Sequence, residues 1–368
     1  MHAHLTTLRL KKLMVRGFKS IAACDLELAQ RTILIGANGS GKSNLLGIFR
    51  FMEQVVAGQL GKYVNVSGKA NAILHCGRAI TKELMISLEF TEHVSYQAVW
   101  KPTDDNRLYF DNEDVSWLKG STNKDGMPAR SYHWSAGKDE SILSMPKMGT
   151  EIDNAPDIDC WRIYHVHDTG TNSPLKIPQN SKDDAYLRSD GENLMPFLRR
   201  LRDQFPKYYE QIRFAVSLAM PTFGDFIFKD DNGTLSLCWR ERQNDYPYAA
   251  HQVSDGTLRF MCLATLLLQP VELQPSLIII DEPELGLHPS AIHLLGEMIK
   301  AASVHRQVLV ATQSPALLDA FTPEDIVLVE RGDEGTTIRR QDATDLKSWL
   351  EDYTLGQVWN MNLLGGRP

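Results

Sequence analysis

The sequence has few of the features that mark secreted, membrane-spanning or strongly basic proteins. Its five cysteines are scattered over 368 residues without a Cys-x-x-Cys pair. This usage is typical of reduced thiols in a cytoplasmic protein and argues against a disulfide framework or a zinc site. The longest mostly apolar run, residues 261–268, is too short to cross a bilayer. The N-terminus has no apolar signal-peptide segment, so we expect no membrane association.

Positive charge is scarce, and sustained heptad repeats are missing. The net charge of −7 argues against a globally basic nucleic-acid binder but leaves a local basic groove open. Without heptads we expect no coiled-coil arm. What remains is an ordinary globular composition, 43% hydrophobic and 23% charged. The length suits one large α/β domain or two domains of usual size.

One octapeptide, Gly-Ala-Asn-Gly-Ser-Gly-Lys-Ser at residues 36–43, departs from this ordinary background. An apolar run precedes it and a helical pattern follows, which is the context that a phosphate-binding loop requires. Glycines let backbone N–H groups surround a phosphate chain, and the helix N-terminus adds its positive dipole. The predicted nucleotide-binding residues of this segment are Gly36, Ala37, Asn38, Gly39, Ser40, Gly41, Lys42, Ser43 and Asn44.

Two side chains of the loop have specific expected roles. Lys42 should reach the β- and γ-phosphates and take part in catalysis, and the Ser43 hydroxyl should bind Mg²⁺. Residues 123–126, Asn-Lys-Asp-Gly, resemble a guanine-reading motif, but Gly126 stands where that motif needs aspartate. We interpret this segment as a turn.

A second apolar run, residues 277–280, ends in Asp281 and Glu282. Such a strand is the partner of a phosphate loop: Asp281 should hold Mg²⁺, and Glu282 should accept a proton from the attacking water. The two adjacent acids repel each other, and a bound cation would relieve that repulsion. Upstream, Ser254 and Gly256 form a small polar turn before an apolar helix, where Ser254 can cap the helix.

The remaining sequence patterns predict the domain organisation and the secondary structure. We expect one domain, 1–368, with an N-terminal lobe (1–110), a variable insertion (111–160), a helical lobe with a hairpin (161–250), a segment with the polar turn and acidic strand (251–345) and a tail that packs on the body (346–368). The expected strands are a pair at 13–15 and 24–28, single strands at 83–90, 95–101, 106–110, 161–168 and 307–312, and a pair at 325–330 and 336–340. The expected helices lie at 42–57, 184–218 and 290–302. We expect a loop at 58–80 and a hairpin at 226–239.

Several polar residues leave alternatives open. Lys12, Arg16 and Lys19 either flank the nucleotide or are solvated charges on an edge strand. His165, His167 and Asp168 end a predicted strand, where functional groups of α/β sheets gather. They either face the γ-phosphate and its water, form a weak His-x-His metal site, or are surface residues.

The order of these motifs resembles the ABC-type ATPase heads of the RecF, SMC and OLD-like class. The segments that carry the resemblance are the phosphate loop, Ser-Asp-Gly-Thr-Leu-Arg (254–259), Asp-Glu-Pro-Glu-Leu-Gly-Leu-His-Pro (281–289), Ala-Thr-Gln-Ser-Pro (311–315) and Leu-Gly-Gly-Arg-Pro (364–368). More narrowly, they resemble a group of stand-alone bacterial predicted ATPases of about this length. The resemblance is strongest in 13–50 and 251–368 and weak in 58–180.

This resemblance implies an α/β P-loop NTPase fold with a mixed sheet core, an antiparallel β subdomain and a helical lobe. It also implies ATP and Mg²⁺ as cofactors, and a homodimer or higher even oligomer that encloses ATP between one subunit's phosphate loop and the other's signature. Ser254 and Gly256 match that signature, Asp281 the Mg²⁺ acid and Glu282 the base. Residues 284–288 match the loop that couples the two sites.

The sequence departs from the family pattern at three places. Gln313 stands where a histidine is usual, and because it cannot carry charge we expect slow turnover. The usual Mg²⁺-linked glutamine has no obvious match, although His167 and Asp168 lie where it is expected. No heptad repeats separate the two halves, so we expect no coiled-coil arms, and from the length of the sequence we expect no appended nuclease domain of the OLD type.

Four classes of function follow. The favoured one is a nucleotide-gated dimeric ATPase that controls a partner protein encoded nearby, such as a nuclease or toxin in phage defence. A DNA-binding repair ATPase of RecF type is the alternative, with Arg199, Arg200, Arg202, Lys207 and Arg213 as a candidate groove. An ABC transporter subunit suits neither the tail nor the insertion, and a kinase or GTPase leaves the signature unexplained.

Overall fold

A computed structural model of the protein describes residues 8–117, 130–144, 158–166, 170, 173–341 and 346–365. In chain order its strands are β1 (Leu10–Phe18), β2 (Ile21–Glu27), β3 (Arg31–Ile35), β4 (Leu84–Phe90), β5 (Ser95–Pro102), β6 (Leu108–Trp117), β7 (Arg130–Lys138), β8 (Trp161–Tyr164), β9 (Gln179–Asn180), β10 (Phe223–Phe226), β11 (Asp230–Asp231), β12 (Thr234–Leu235), β13 (Cys238–Glu241), β14 (Asn244–Ala249), β15 (Leu277–Asp281), β16 (Gln307–Thr312), β17 (Ile326–Gly332) and β18 (Gly335–Arg340).

The helices are α1 (Lys42–Val56), α2 (Leu60–Val66), α3 (Lys69–Ile73), α4 (Leu194–Gln204), α5 (Pro206–Ala219), α6 (Asp255–Leu268), α7 (Pro289–Ala302), α8 (Pro315–Leu318) and α9 (Leu355–Asn360). Backbone contacts divide the chain into two units. Unit 1 comprises Met1–Trp161, Ile326–Gln341 and Leu364–Pro368, and unit 2 comprises Arg162–Asp325 and Asp342–Leu363.

Unit 1 contains a six-stranded antiparallel sheet in the order β2-β1-β4-β5-β6-β7. Alternate side chains of β5 and of the second half of β6 are buried, as a sheet covered on one face requires. Aromatic rings attach α1 to this sheet: the ring of Phe51 lies 5.9 Å from that of Phe18 and 5.0 Å from that of Trp100. All three rings are fully buried, so the helix that follows the phosphate loop is firmly positioned.

The strand that precedes the phosphate loop pairs with the C-terminal part of the chain. β3 runs parallel to β17, with Ile33 opposite Ile326, and β17 pairs antiparallel with β18. The run from Thr32 to Ile35 is buried throughout, which is typical of a strand covered on both faces. Residues far apart in sequence therefore meet at the end of β3.

Unit 2 is built around the parallel pair β15 and β16, whose residues are all buried. β8 is the next strand beside β15. Helix α6 packs between α5 and α7, and its side chains are buried from Leu258 to Leu267. Two small three-stranded sheets, β10-β13-β14 and β11-β12-β9, complete the unit.

The tail is held by α9, which packs against α8. The Gly356 N–H donates to Asp319 Oδ1 at 2.7 Å, and a Cβ at Gly356 would lie 2.3 Å from the Pro315 carbonyl oxygen. Only glycine permits this close approach. Trp359 is buried, whereas Trp349 is 41% exposed. The tail thus packs on the body of unit 2 through its last helix.

Several predicted elements agree with the structure, notably the helix after the phosphate loop, strand 307–312 and the Ser254 cap of α6. All five cysteines are unbonded. Among the described residues, no helix is long and apolar enough to span a membrane.

The predicted loop at 58–80 is wrong, because this segment contains α2 and α3. Their apolar residues recur at helical spacing and are buried, Leu60 with Val64 and Ala70 with Ile73. Glycines within and beside these helices, Gly61 inside α2 and Gly68 before α3, conceal that period in the sequence. Burial of the apolar face outweighs their unfavourable helix propensity.

The start of the predicted insertion is also wrong, because residues 111–117 continue β6 and residues 130–138 form β7. A polar face made this segment resemble a loop, but Val115 and Trp117 face the core. Glu113 is buried with them, since Tyr96 Oη (2.8 Å), Ile142 N (2.8 Å) and the Ser141 hydroxyl all donate to its carboxylate. Burial raises the pKa of Glu113. The segment 123–126 lies outside the described residues.

Three further boundaries differ from the prediction. β8 ends at Tyr164 rather than at 168. Residues 184–193 are not helical, because the Asn193 amide donates to the carbonyls of Asp183 and Tyr186 and ties this loop together. The predicted hairpin at 226–239 is present but interrupted: Phe226 of β10 pairs with Trp239 of β13, and nearer the turn the short strands β11 and β12 pair with each other.

The packing of α9 yields a stability prediction. Replacing the buried Trp359 by alanine should destabilise the protein by about 3–5 kcal/mol, because it opens a cavity beneath the tail. Trp349→Ala, a matched change in the same tail, should cost no more than about 1 kcal/mol. Urea unfolding followed by fluorescence and circular dichroism measures both, and equal losses would contradict the packing described.

Candidate functional site

The phosphate loop lies in unit 1 between β3 and α1. The Lys42 ammonium is buried and crosses the loop, donating to the carbonyl oxygens of Gly36 (2.7 Å) and Ala37 (3.0 Å). Asn38 and Gly39 are exposed, as is Ser43 in the first turn of α1. The exposed Ser43 hydroxyl is accessible to a metal, as its predicted role requires.

Two glycines of the loop have no room for a side chain. A Cβ at Gly36 would lie 2.2 Å from the Val329 carbonyl oxygen, and one at Gly41 would lie 2.1 Å from Thr336 Oγ1. Gly41 also has φ +112°, a conformation that L-residues rarely adopt. These two glycines let the loop backbone lie directly against β17 and β18.

Thr336 is a loop contact that sequence reasoning did not find. Its hydroxyl donates to the Ser40 carbonyl (3.1 Å) and contacts the Ser20 hydroxyl at 2.7 Å. The Asn44 amide donates to the same Ser20 hydroxyl at 2.7 Å, so this predicted binding residue also supports the loop. Thr336 belongs to no motif, and only the pairing of β17 with β3 brings it here.

The loop fits a phosphate group on its own geometry. It combines a lysine ammonium, a helix N-terminus and a tightly held glycine backbone. In addition, the buried Ser40 hydroxyl has no hydrogen-bond partner within the described residues. Unsatisfied buried donors beside a cation are the chemistry that a phosphate oxygen complements.

The charges on the first strands have different surroundings. Arg16 pairs with Asp25 of β2 at 2.7 Å, and this acid raises the pKa of the guanidinium. Lys19 instead lies beside α1, near Gly47, and burial, then the neighbouring Arg50, lowers its pKa. The edge-strand part of the alternative is wrong, because β1 lies between β2 and β4. Arg16 is a half-exposed charge paired across to β2, and Lys19 is half-buried against α1.

The acidic strand end lies in unit 2. Asp281 is the last residue of β15 and is only 9% exposed. Glu282 follows with φ +43°, a conformation that is uncommon for a non-glycine residue and carries backbone strain. Its N–H donates to the Ala311 carbonyl at 2.8 Å, so the backbone is held in this state by β16.

The end of β16 provides the partners of these acids. Gln313 Nε2 donates to Glu282 Oε1 at 3.3 Å. Glu284 Oε1 accepts hydrogen bonds from Thr312 Oγ1 (2.6 Å) and from the Gln313 N–H (3.2 Å). Burial raises the pKa of Glu284, and the bonds from Thr312 and Gln313 oppose that effect. The structure thus brings predicted residues Glu282 and Gln313 together.

Of the strand-end residues after β8, only His165 is described. Its Nδ1 lies 3.6 Å from Asp281 Oδ2, so it is beside the predicted Mg²⁺ acid. His167 and Asp168, the candidates for the Mg²⁺-linked position, lie outside the described residues. Within the described ranges, no group of three or more His, Cys, Asp or Glu side chains could hold a metal.

The signature forms the N-terminus of α6. Ser254 Oγ accepts from the Thr257 N–H at 3.2 Å and caps the helix, and Asp255 pairs with Lys176 at 2.9 Å. Ser254 and Asp255 are exposed, whereas Gly256 is buried. A Cβ at Gly256 would lie 2.0 Å from the Gly286 carbonyl oxygen, so the signature lies directly on the loop after the acidic strand.

Arg259 reinforces this contact, and sequence reasoning gave it no role. Its guanidinium donates to the Leu285 carbonyl and, through Nε, to the Val166 carbonyl at 2.6 Å. Burial lowers its pKa. Arg259 therefore connects helix α6 to the loop after the acidic strand β15 and to the segment after the neighbouring strand β8.

The candidate DNA groove is largely engaged within the protein. Arg199 pairs with Asp230, Arg202 with Asp203 and Arg213 with Glu210. Arg200 donates to the carbonyls of Asp184 and Ala185. Each of these arginines thus has an acidic or carbonyl partner within the protein, and the DNA-binding alternative stays a prediction.

Comparison with known proteins gives the family. A family described as "AAA domain, putative AbiEii toxin, Type IV TA system" matches residues 31–75 and 135–319, more than half of the chain. The chain belongs to this AAA domain family. The matched residues include the phosphate loop, the signature, the acidic strand and Gln313. The predicted membership in the RecF, SMC and OLD class of ABC/AAA-type ATPases is confirmed.

A curated relative of this AAA domain protein is the Old nuclease of Escherichia phage P2. The two are 26% identical over 373 residues, which cover 91% of this chain and 61% of the relative. This chain therefore spans about three fifths of that protein's length.

Three solved structures share the fold of this AAA domain protein. An Smc head bound to the C-winged helix domain of ScpA has a TM-score of 0.59 and 17% identity, and the match covers 89% of this chain and 96% of that chain. An Smc head with an extended coiled coil, bound to the C-terminal domain of ScpA derived from Pyrococcus furiosus, has a TM-score of 0.56 and 15% identity, with coverages of 94% and 99%. The SMC head domain from Thermotoga maritima has a TM-score of 0.50 and 16% identity, with coverages of 91% and 99%. The predicted P-loop ATPase fold is confirmed.

The close packing of Gly41 yields a prediction about the AAA domain. Gly41→Ala should destabilise the nucleotide-free protein by roughly 2–5 kcal/mol, since a Cβ would meet Thr336 and also add left-handed strain. Gly39→Ala should cost only about 1–2 kcal/mol, because Gly39 shares a positive φ but faces open space. Unfolding midpoints without nucleotide compare the two, and equal shifts would mean that contact with β18 does not hold the loop.

Proposed function

We propose that this protein is a Mg²⁺-dependent ATPase that acts as a nucleotide-gated dimeric switch. ATP binding closes two subunits, and hydrolysis separates them. The closed dimer controls a partner protein, such as a nuclease or a toxin in phage defence. Family membership supports the ATPase class, and the dimer and the partner are the proposal.

The observation that carries the proposal is the Glu282 carboxylate beside the Gln313 amide, at the end of a strand that also presents Asp281. Glu282 is suited to take a proton from an attacking water, and Gln313 is suited to orient that water. A neutral amide cannot carry the charge of a histidine, so turnover should be slow. Bound Mg²⁺, for which Ser43 and Asp281 are the proposed ligands, would neutralise phosphate charge.

The exposed signature supports the dimer. Helix α6 is buried along most of its length, yet its capped start at Ser254 and Asp255 faces solvent. A helix N-terminus attracts anions, so this end is suited to the γ-phosphate of ATP bound by a second subunit. Contact between Gly256 and Gly286 would then transmit closure to the loop after Glu282.

The names of the relatives support the partner class. One relative is a phage nuclease, the family description includes a toxin, and two of the similar heads are bound to parts of ScpA. These names favour a head that acts on or through another protein. We therefore place the output in a partner rather than in the ATPase reaction itself.

Trapping ATP tests the switch. Glu282→Gln should slow hydrolysis about a hundredfold or more, because the base is lost, while leaving the phosphate loop intact. With Mg²⁺ and ATP the variant should form a stable dimer that retains ATP, as measured by light scattering and by nucleotide extraction.

Lys42→Ala is the matched control, since it removes a phosphate contact and should stay monomeric with ATP. If Glu282→Gln binds ATP but remains monomeric at high protein concentration, the closure model fails. If the parent protein does not hydrolyse ATP, the proposed activity itself is wrong.

A further inference from the structure

Glu284 lies in the loop after the acidic strand, and its contacts go beyond the general coupling role of that loop. Its Oε1 accepts two hydrogen bonds from the end of β16, one from the Thr312 hydroxyl at 2.6 Å and one from the Gln313 N–H at 3.2 Å. A single carboxylate oxygen thus holds both the last strand residue and the residue that follows it.

The contact is shielded from water. Thr312 is fully buried, and Glu284 Oε2 is buried with no hydrogen-bond partner in the described part of the chain. Hydrogen bonds in such surroundings are stronger than at the surface. A carboxyl group held by one oxygen in a buried place is costly to keep there, and a stabilising role alone would be met by a smaller neutral side chain.

The hydrogen bonds around Thr312 show how the contact with Glu284 affects Gln313. Thr312 also accepts the Ser314 N–H at 3.0 Å, and Ser314 caps α8. The backbone on both sides of Gln313 is therefore fixed, and its side chain is directed towards Glu282, with Nε2 at 3.3 Å from Oε1. Besides burial, the negative charge of Glu282 adds a small upward shift to the pKa of Glu284, but the hydrogen bonds that connect the two carboxylates run through Gln313.

We propose that Glu284 is a positioning residue for ATP hydrolysis, which fixes the backbone of Gln313 so that its amide faces Glu282. This inference rests on the proposed ATPase function. The feature required of Glu284 is a hydrogen-bond acceptor at Oε1, not a negative charge. Glutamine offers such an acceptor with nearly the same shape, whereas alanine offers none.

The test compares steady-state ATP hydrolysis of the full chain and five variants. Glu284→Ala should lower kcat about tenfold or more, because small displacements of catalytic groups have large effects on rate. Its KM for ATP should change by less than about threefold, since the phosphate loop is untouched. Glu284→Gln should restore kcat to near the parent value. Glu297→Ala, which removes an exposed acid on α7 paired with Lys300, is the matched control and should behave as the parent.

The double variant isolates the route of the effect. If Glu284 acts through Gln313, Glu284→Ala combined with Gln313→Ala should be no slower than Gln313→Ala alone. Multiplied losses would overturn the inference, as would a kcat of Glu284→Ala equal to the parent's or an equal loss in Glu284→Gln. A parent protein without ATPase activity would overturn the proposed function and this inference together. Activity in the parent with an unaffected Glu284→Ala would overturn this inference alone.

Discussion

The parallel register between β15 and β16 is the constraint on which the arrangement of the acidic residues in unit 2 depends. Asp281 lies opposite Ala311, so both strands end at the same level. Glu282 can then bond its N–H to Ala311, and Gln313 emerges next to the carboxylate of Glu282. A shift of one residue would reverse the faces of every side chain in the strand. Because β15 and β16 are buried throughout, such a shift would expose no apolar residue, but it would mispack side chains of different size and separate Glu282 from Ala311 and Gln313.

The phosphate loop of unit 1 depends on a comparable long-range contact. β3 pairs with β17, and the adjacent β18 brings Thr336 against Gly41 and Ser40. Thr336 and Ser40, which are 296 positions apart in the sequence, therefore meet at one loop. The glycines permit the approach, and the hydroxyl of Thr336 fixes it.

The sequence predicted the residues whose chemistry has a fixed spacing. The phosphate loop, the cap of the signature helix and the acidic strand could be predicted from the sequence, because each requires particular residue types within a few positions. Elements with weaker local signals were missed: glycines hid α2 and α3, and polar residues hid the second half of β6 and the whole of β7. Thr336, Arg259 and the bonds of Glu284 could not be predicted, because they depend on which strands become neighbours. The two-unit division likewise joins segments that are distant in the sequence.

The central claim is that ATP is enclosed between the phosphate loop of one subunit and the signature of another. Mixing two inactive variants, Lys42→Ala and Ser254→Arg, tests it most directly. A mixed dimer contains one intact loop facing one intact signature, so the account predicts that ATPase activity reappears on mixing although neither variant is active alone. Mixtures that remain inactive at concentrations at which the parent dimerises, or a Ser254→Arg protein with full activity, would contradict it.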